Sequence, residues 1–242
     1  EISHVVSWEL PSDVRLLYRS LQQEVEIYVD ETLIYKYPSE DYIAGLTPNH
    51  WNMVELPEDV EGKLLTIRLN SEYEQFSGKI GELYLGEYPV LYSYVRGKYF
   101  LQLLVGLVVG VVGSLIILAG SLVYEKRSYY AEISLGLLFI FTSFWMCGEA
   151  KIPFANVSSL TQYFLVFSSL LLIPALFYLY VYFRMKGRNK KISLKIFWLN
   201  FTVFSFCLIL QLTGIRDYPA MLPFIHGTIA IVFLCGIFIM GR

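Results

Sequence analysis

Along the first 98 residues, apolar and polar positions alternate in short runs. VEIYVD (25–30) sets Val25, Ile27 and Val29 against Glu26, Tyr28 and Asp30, the two-residue period of a half-buried strand. Asp30-Glu31-Thr32 makes a turn before LIYKYP, so the two runs read as a hairpin. LLTIRLN (64–70) alternates likewise, with Leu65, Ile67 and Leu69 on one face and Glu61-Gly62-Lys63 as the turn before it. VRLLYR (14–19), NMVEL (52–56) and GELYLG (81–86) fit further short strands. Short strands joined by polar turns predict an antiparallel all-β sandwich over residues 1–95, its first strands expected to be missing with a lost amino terminus.

The period changes near residue 99. A helix crossing the roughly 30 Å hydrocarbon core needs about 20 mostly apolar residues. Five segments meet that length, near 99–124, 129–148, 160–183, 196–215 and 218–241, and predict an all-α polytopic transmembrane bundle over 96–242. The short loops orient it. The turn after the first span carries Lys126 and Arg127, and the segment after the third carries Arg184, Lys186, Arg188, Lys190, Lys191 and Lys195. The loops after the second and fourth carry one base each, Lys151 and Arg216. Positive charge collects on the cytoplasmic side, so the sandwich is expected outside the cell membrane and Arg242 inside.

Charge divides the chain at the same place. The chain has 242 residues and a formal charge of −2. Residues 1–98 hold 17 acids and eight bases, whereas residues 99–242 hold four acids and 11 bases. The mean hydropathy, +0.51, is above that of an ordinary soluble domain. Disorder, a secreted mini-protein and a single soluble enzyme domain are excluded. Cys147, Cys207 and Cys235 lie far apart in apolar runs, read as buried thiols without a disulfide framework. The chain opens at Glu1 without a methionine and stops directly after an apolar run, so a fragment of a longer protein is expected.

Candidate chemistry is sparse. YPSEDYIAGLTPNHWN (37–52) gathers Glu40, Asp41, Tyr42, Asn49, His50 and Trp51 beyond the ends of two strands. Aromatic faces beside carboxylates suit a sugar or small-ligand pocket; equally, Trp51 and Tyr42 can plug the sandwich edge while the charges face water. The loop Tyr73-Glu74-Gln75-Phe76 carries the same two readings. In the first span, Gly106, Gly110 and Ser114 form a small-residue ridge for close helix packing, either between two copies or inside one bundle. Pro174 and Pro223 predict kinks. Asn200, Gln211 and His226 are the main polar residues at membrane depth, where polarity is costly and a candidate for function. The central spans hold no facing carboxylates for an ion or proton path. Phosphate loops, metal-spaced histidines and GxSxG elbows are absent from the sequence, so neither catalysis, cofactor, metal nor nucleic acid is expected.

The run IYVDETLIYKYPSEDY…NHWNMVELPEDVEGKLLTIRLNSEYEQFSGKIGELYLG resembles the extracytoplasmic β-sandwich of certain Firmicutes membrane signalling proteins, the seven-transmembrane receptors with diverse intracellular signalling modules. LQLTGIRDYPAMLPFIHG (210–227) is similar to a stretch in clostridial members that end in a GGDEF diguanylate cyclase domain. The resemblance implies a jelly-roll or galactose-binding-like sensor, a helical bundle and a cytoplasmic output domain. It fixes no ligand residues, and this chain departs from it in having five spans and no GGDEF motif. The expectation is the sensor and membrane portion of a bacterial receptor, with membrane lipid, an extracytoplasmic ligand such as a sugar, and a second copy of the chain as partners. The rival is a non-signalling transport or envelope-assembly component with an exposed carbohydrate-binding domain.

Overall fold

The computed structural model describes residues 1–7, 13–38, 47–74, 76–122, 126–150 and 158–240. These form two compact units. One takes in residues up to Phe100 together with residues 158–162; the other takes in Leu101–Ala150 and the chain from Tyr163 onward.

The first unit has seven strands: β1 (Ile2–Val5), β2 (Val14–Ser20), β3 (Glu24–Val29), β4 (Thr32–Tyr37), β5 (His50–Glu55), β6 (Leu64–Asn70) and β7 (Leu83–Glu87). They form two antiparallel sheets, ordered β1-β6-β3-β4 and β5-β2-β7. The expected alternation holds where both sheets meet. Val14, Leu16 and Tyr18 of β2 and Val54 of β5 share one core with Val25 and Ile27 of β3, Tyr37 of β4 and Ile67 of β6. Two sheets packed through such a core make a sandwich. The β3–β4 hairpin closes at Asp30, whose φ of +52° is one that Asp tolerates better than most residues. Its Oδ1 accepts a 2.9 Å hydrogen bond from the Leu64 amide, tying the turn to β6.

Five helices follow: α1 (Tyr88–Ser121), α2 (Lys126–Glu149), α3 (Ser159–Arg184), α4 (Gly187–Leu212) and α5 (Tyr218–Met240). All five are long and apolar enough to cross a membrane, which defines a multi-pass membrane protein. Two of them start earlier than hydropathy suggested. α1 begins 11 residues before Tyr99, and the basic segment expected as a loop is the start of α4. Lys and Arg are good helix formers, so a span's apolar edge marks where a helix enters lipid and not where it begins. Gly187, at φ +63°, opens α4 directly after the two-residue turn from α3.

In the second unit, glycine brings α1 and α2 together. A Cβ on Gly113 would lie 2.7 Å from the Gly136 carbonyl oxygen; one on Gly136 would lie 2.4 Å from Ile117 Cγ1. Gly106 and Gly110 similarly face Cys147 and Ser143, and Gly120 faces Glu132. The ridge is therefore Gly106-Gly110-Gly113-Gly120, inside one bundle. Ser114, the third residue of the expected ridge, is exposed, its hydroxyl bonded to the Gly110 carbonyl at 2.9 Å. At the opposite end of the chain, Gln211 is buried among three helices. Its Oε1 accepts 2.8 Å hydrogen bonds from the Tyr163 hydroxyl and the Tyr218 amide. Asn200 is buried too, but its Nδ2 donates to Ile196 O of its own helix at 2.8 Å. His226 is exposed on α5.

Gly113→Ala and Gly136→Ala should each lower the thermal stability of the detergent-solubilised protein, because a new methyl meets backbone or a packed side chain. Gly227→Ala, with no atom within 4 Å of its added methyl, is the matched control and should leave it unchanged. Equal behaviour of the three variants would show that the α1–α2 approach is not held by glycine.

Candidate functional site

Glu40, Asp41 and Tyr42 lie outside the described residues. Asn49, His50 and Trp51 are described, and they do not converge on one pocket. β5 starts at His50, so His50 and Trp51 are consecutive strand residues and face opposite sides of the sheet. The expected loop ends three residues sooner than the run 37–52 suggested.

His50 belongs to the inner side. Its ring stacks on Tyr37 of β4 at 4.9 Å and 12°, and its Nδ1 lies 2.9 Å from Ser159 Oγ at the start of α3. Its backbone exchanges two 3.2 Å hydrogen bonds with the Ser20 hydroxyl. The Tyr37 hydroxyl donates to Pro48 O at 2.9 Å, closing the chain before β5. Burial holds the His50 imidazole below the usual histidine range. This is a packed, hydrogen-bonded corner.

Trp51 belongs to the outer face of the three-stranded sheet, paired across from Arg19 of β2. It is 4% exposed. The Arg19 guanidinium carbon lies 5.7 Å and Lys98 Nζ 5.5 Å from its ring centroid, both within cation–π range. Glu82 joins the two cations. It accepts from Arg19 at 3.4 Å and from Lys98, while the Tyr84 and Tyr94 hydroxyls add bonds of 3.1 and 3.4 Å. The Lys98 bond is the main cause that holds the Glu82 carboxyl below its usual range. A Trp ring so enclosed presents little surface for stacking a sugar.

The first turns of α1 complete this layer. Tyr88, Leu91, Val95 and Lys98 recur at three- and four-residue spacing, one helical face. Arg15 lies over the Tyr88 ring at 4.7 Å, Leu91 packs against the Gly86 position, Tyr84 and Tyr94 share a 2.7 Å hydrogen bond, and Lys98 reaches Glu82. Leu91 and Val95 are buried, although Tyr88, Tyr92 and Tyr94 beside them are exposed. The segment up to Lys98 is thus a docked helix, and its three- and four-residue spacing is the signal in the sequence that shows this.

The second loop, from Tyr73, is pinned by buried polar groups; its Gln75 is outside the described residues. Gln23 Nε2 donates to Phe76 O at 2.9 Å and Lys79 O at 2.7 Å, and Gln23 Oε1 accepts from the Tyr18 hydroxyl at 3.1 Å. That network is structural. In the helical unit, a cavity of about 500 Å³ is lined by apolar side chains including Val109, Leu138, Ile173, Pro174 and Val232. Its lining suits hydrocarbon better than ions or sugars. Among the described residues, no group of three His, Cys, Asp or Glu is gathered to hold a metal.

Comparison with known proteins returns nothing: no protein-family model, curated protein or solved structure matches the chain. Its class rests on the fold, a two-sheet β unit joined to five membrane-length helices.

The two shifted groups predict a pH profile. Unfolded histidine titrates near 6.5 and folded His50 lower, so unfolding takes up a proton and stability falls as pH drops below about 6.5. Glu82 works from the other side: its stabilisation is complete above the unfolded value near 4.5 and is lost as pH falls through the lower folded value. Hydrogen exchange of the β2 and β5 amides, corrected for intrinsic rates, should therefore quicken in two separate acid steps. His50→Gln should abolish the upper step alone. Its persistence would assign that step to another group.

Proposed function

We propose that the chain is the sensor and membrane portion of a bacterial transmembrane signalling receptor, with the sandwich outside and a cytoplasmic output domain, of diguanylate cyclase type, beyond this sequence. One observation carries the reading. α1 is a single helix of 34 residues, about 51 Å long. Its first turns are packed on the three-stranded sheet, and its later turns are packed on α2 through Gly106, Gly110, Gly113 and Gly120. A change in the sheet has a covalent, helical route into the bundle. A flexible linker would not supply one.

The resemblance of the outer strands and of residues 210–227 to signalling receptors supports the same reading. Ligand binding would act by favouring whichever arrangement it binds better. The jelly-roll relationship, the sugar ligand and pairing of two copies belong to this proposal as its finer parts.

Two experiments test it. Leu91→Asp places a charge against the sheet and should release the first turns of α1. In the full chain, hydrogen exchange should then rise not only in residues 88–98 but also several-fold along the α1–α2 contact. A rise confined to the sheet unit would show that α1 does not couple them. For orientation, Asn189→Cys in a background without Cys147, Cys207 and Cys235 should resist an impermeant thiol reagent in intact cells. Rapid labelling there would place α4's basic turn outside and reverse the topology.

A further inference from the structure

Lys98 is the last charged residue before an uncharged run that extends to Tyr124. A helix entering a bilayer leaves its last cation at the level of the lipid headgroups, where Trp and Tyr also concentrate. Lys98 is not alone there. Around the buried Trp51 ring lie Lys98, Arg19 and Glu82, two cations to one carboxylate among the described residues.

Two polar atoms of this layer have no partner among the described residues, Trp51 Nε1 and Arg19 Nε, and neither has the hydroxyl of Tyr99, the residue after Lys98. Trp51 and Tyr99 are 4% and 8% exposed, so these polar atoms are not facing bulk water. Buried polar groups are ordinarily hydrogen-bonded, and leaving one unpaired is costly. The first two can only donate, and the third is able to. Arg19 and Lys98 are each about a quarter to a third exposed, so the layer is reachable from its edge. Donors in excess, beside one uncompensated positive charge, call for an oxyanion.

We infer that the Arg19–Trp51–Lys98 layer binds the phosphate of an anionic membrane phospholipid. A phosphodiester supplies acceptor oxygens for the indole and guanidinium N–H groups, and its charge is matched by the cation that Glu82 leaves over. A net-negative headgroup is preferred to a zwitterionic one, because a choline would bring a second cation to a site already positive. The inference stands on the membrane crossing of α1 and is separate from signalling.

The test uses the whole chain, purified from nanodiscs holding equal phosphatidylglycerol and phosphatidylcholine, with retained lipid counted by native mass spectrometry. Wild type should keep phosphatidylglycerol in preference to phosphatidylcholine. Arg19→Gln and Lys98→Gln should each lower its occupancy about tenfold, the scale of one hydrogen bond to a charged group. Trp51→Phe, which keeps the ring and loses the donor, should lower it a few-fold. Glu82→Gln should raise it, since removing the carboxylate leaves the site more positive. That opposite sign separates binding from misfolding, which would lower occupancy in every variant. Unchanged occupancy in the Arg19 and Lys98 variants, or a loss on Glu82→Gln, overturns the inference. Inorganic phosphate should fail to displace the lipid at millimolar concentration. Ready displacement would make the layer a free-anion site and overturn the lipid assignment.

Discussion

The first unit depends on the contact between the opening turns of α1 and the outer face of β5-β2-β7. β2 is central in that sheet and buried on both sides: Val14, Leu16 and Tyr18 face the sandwich core, and Leu17 is fully buried on the other face. An antiparallel sheet can leave one face in water only if that face is polar. This face carries Leu17 and Trp51 between its arginines, both buried, so it needs a lid, and α1 supplies one with Leu91 and Val95. Burying two such side chains contributes on the order of 1.5–3 kcal/mol each. The cost is that the sheet unit cannot be cut from the chain at the end of β7 without losing part of its own packing. The natural boundary of the β unit lies inside a helix, near Phe100.

That lid also explains the charge arrangement. Arg15 and Arg19 alternate with Leu17 along β2, so both project to the face that α1 covers. Each finds an aromatic and a carboxylate there. Arg15 has Tyr88 and Glu55; Arg19 has Trp51 and Glu82. Exposed ion pairs contribute little, and at 71% exposure Glu55 adds little to the Arg15 pair. The Glu82 cluster differs because four side chains meet on one carboxylate and a buried indole lies beneath it. It is the more specific feature of the two, and it positions Lys98 where the apolar part of α1 begins.

Most strands were legible in sequence because each buries one face, and a two-residue period is visible within six residues. β1 escaped because Ile2–Val5 is almost wholly exposed and carries no such contrast. The membrane spans were legible as compositions but not as lengths, since the polar turns of α1 and α4 are helical by propensity and packing. The expected pocket was less legible. Loop 37–52 is rich in the right residue types, yet strand register sends His50 and Trp51 to opposite faces. Register depends on pairing with β2, a partner 30 residues away, and no local pattern encodes it. The Arg19–Glu82–Lys98 cluster was invisible for the same reason: three residues from β2, the approach to β7, and α1.

Glycine spacing limits how any movement of α1 can propagate within the helical unit. At Gly106, Gly110, Gly113 and Gly120 the two helices are so near that a single methyl would meet an atom of α2 within 2.6–2.7 Å. On the α1 side the seam is mainly glycine, set against Cys147, Ser143, Phe139 and Glu132 of α2, while Ile117 of α1 meets Gly136. A larger side chain brought to those positions would meet the atoms that already crowd Gly106, Gly110, Gly113 and Gly120. A seam packed this closely resists sliding of one helix past the other. A displacement of α1 would then carry α2 with it, and with α2 the Arg127 side chain that caps the Phe183 carbonyl at the end of α3 with a 2.7 Å hydrogen bond. Arg184 at that end of α3 also pairs with Glu132 of α2, so two side-chain contacts tie α2 to the start of the basic turn between α3 and α4.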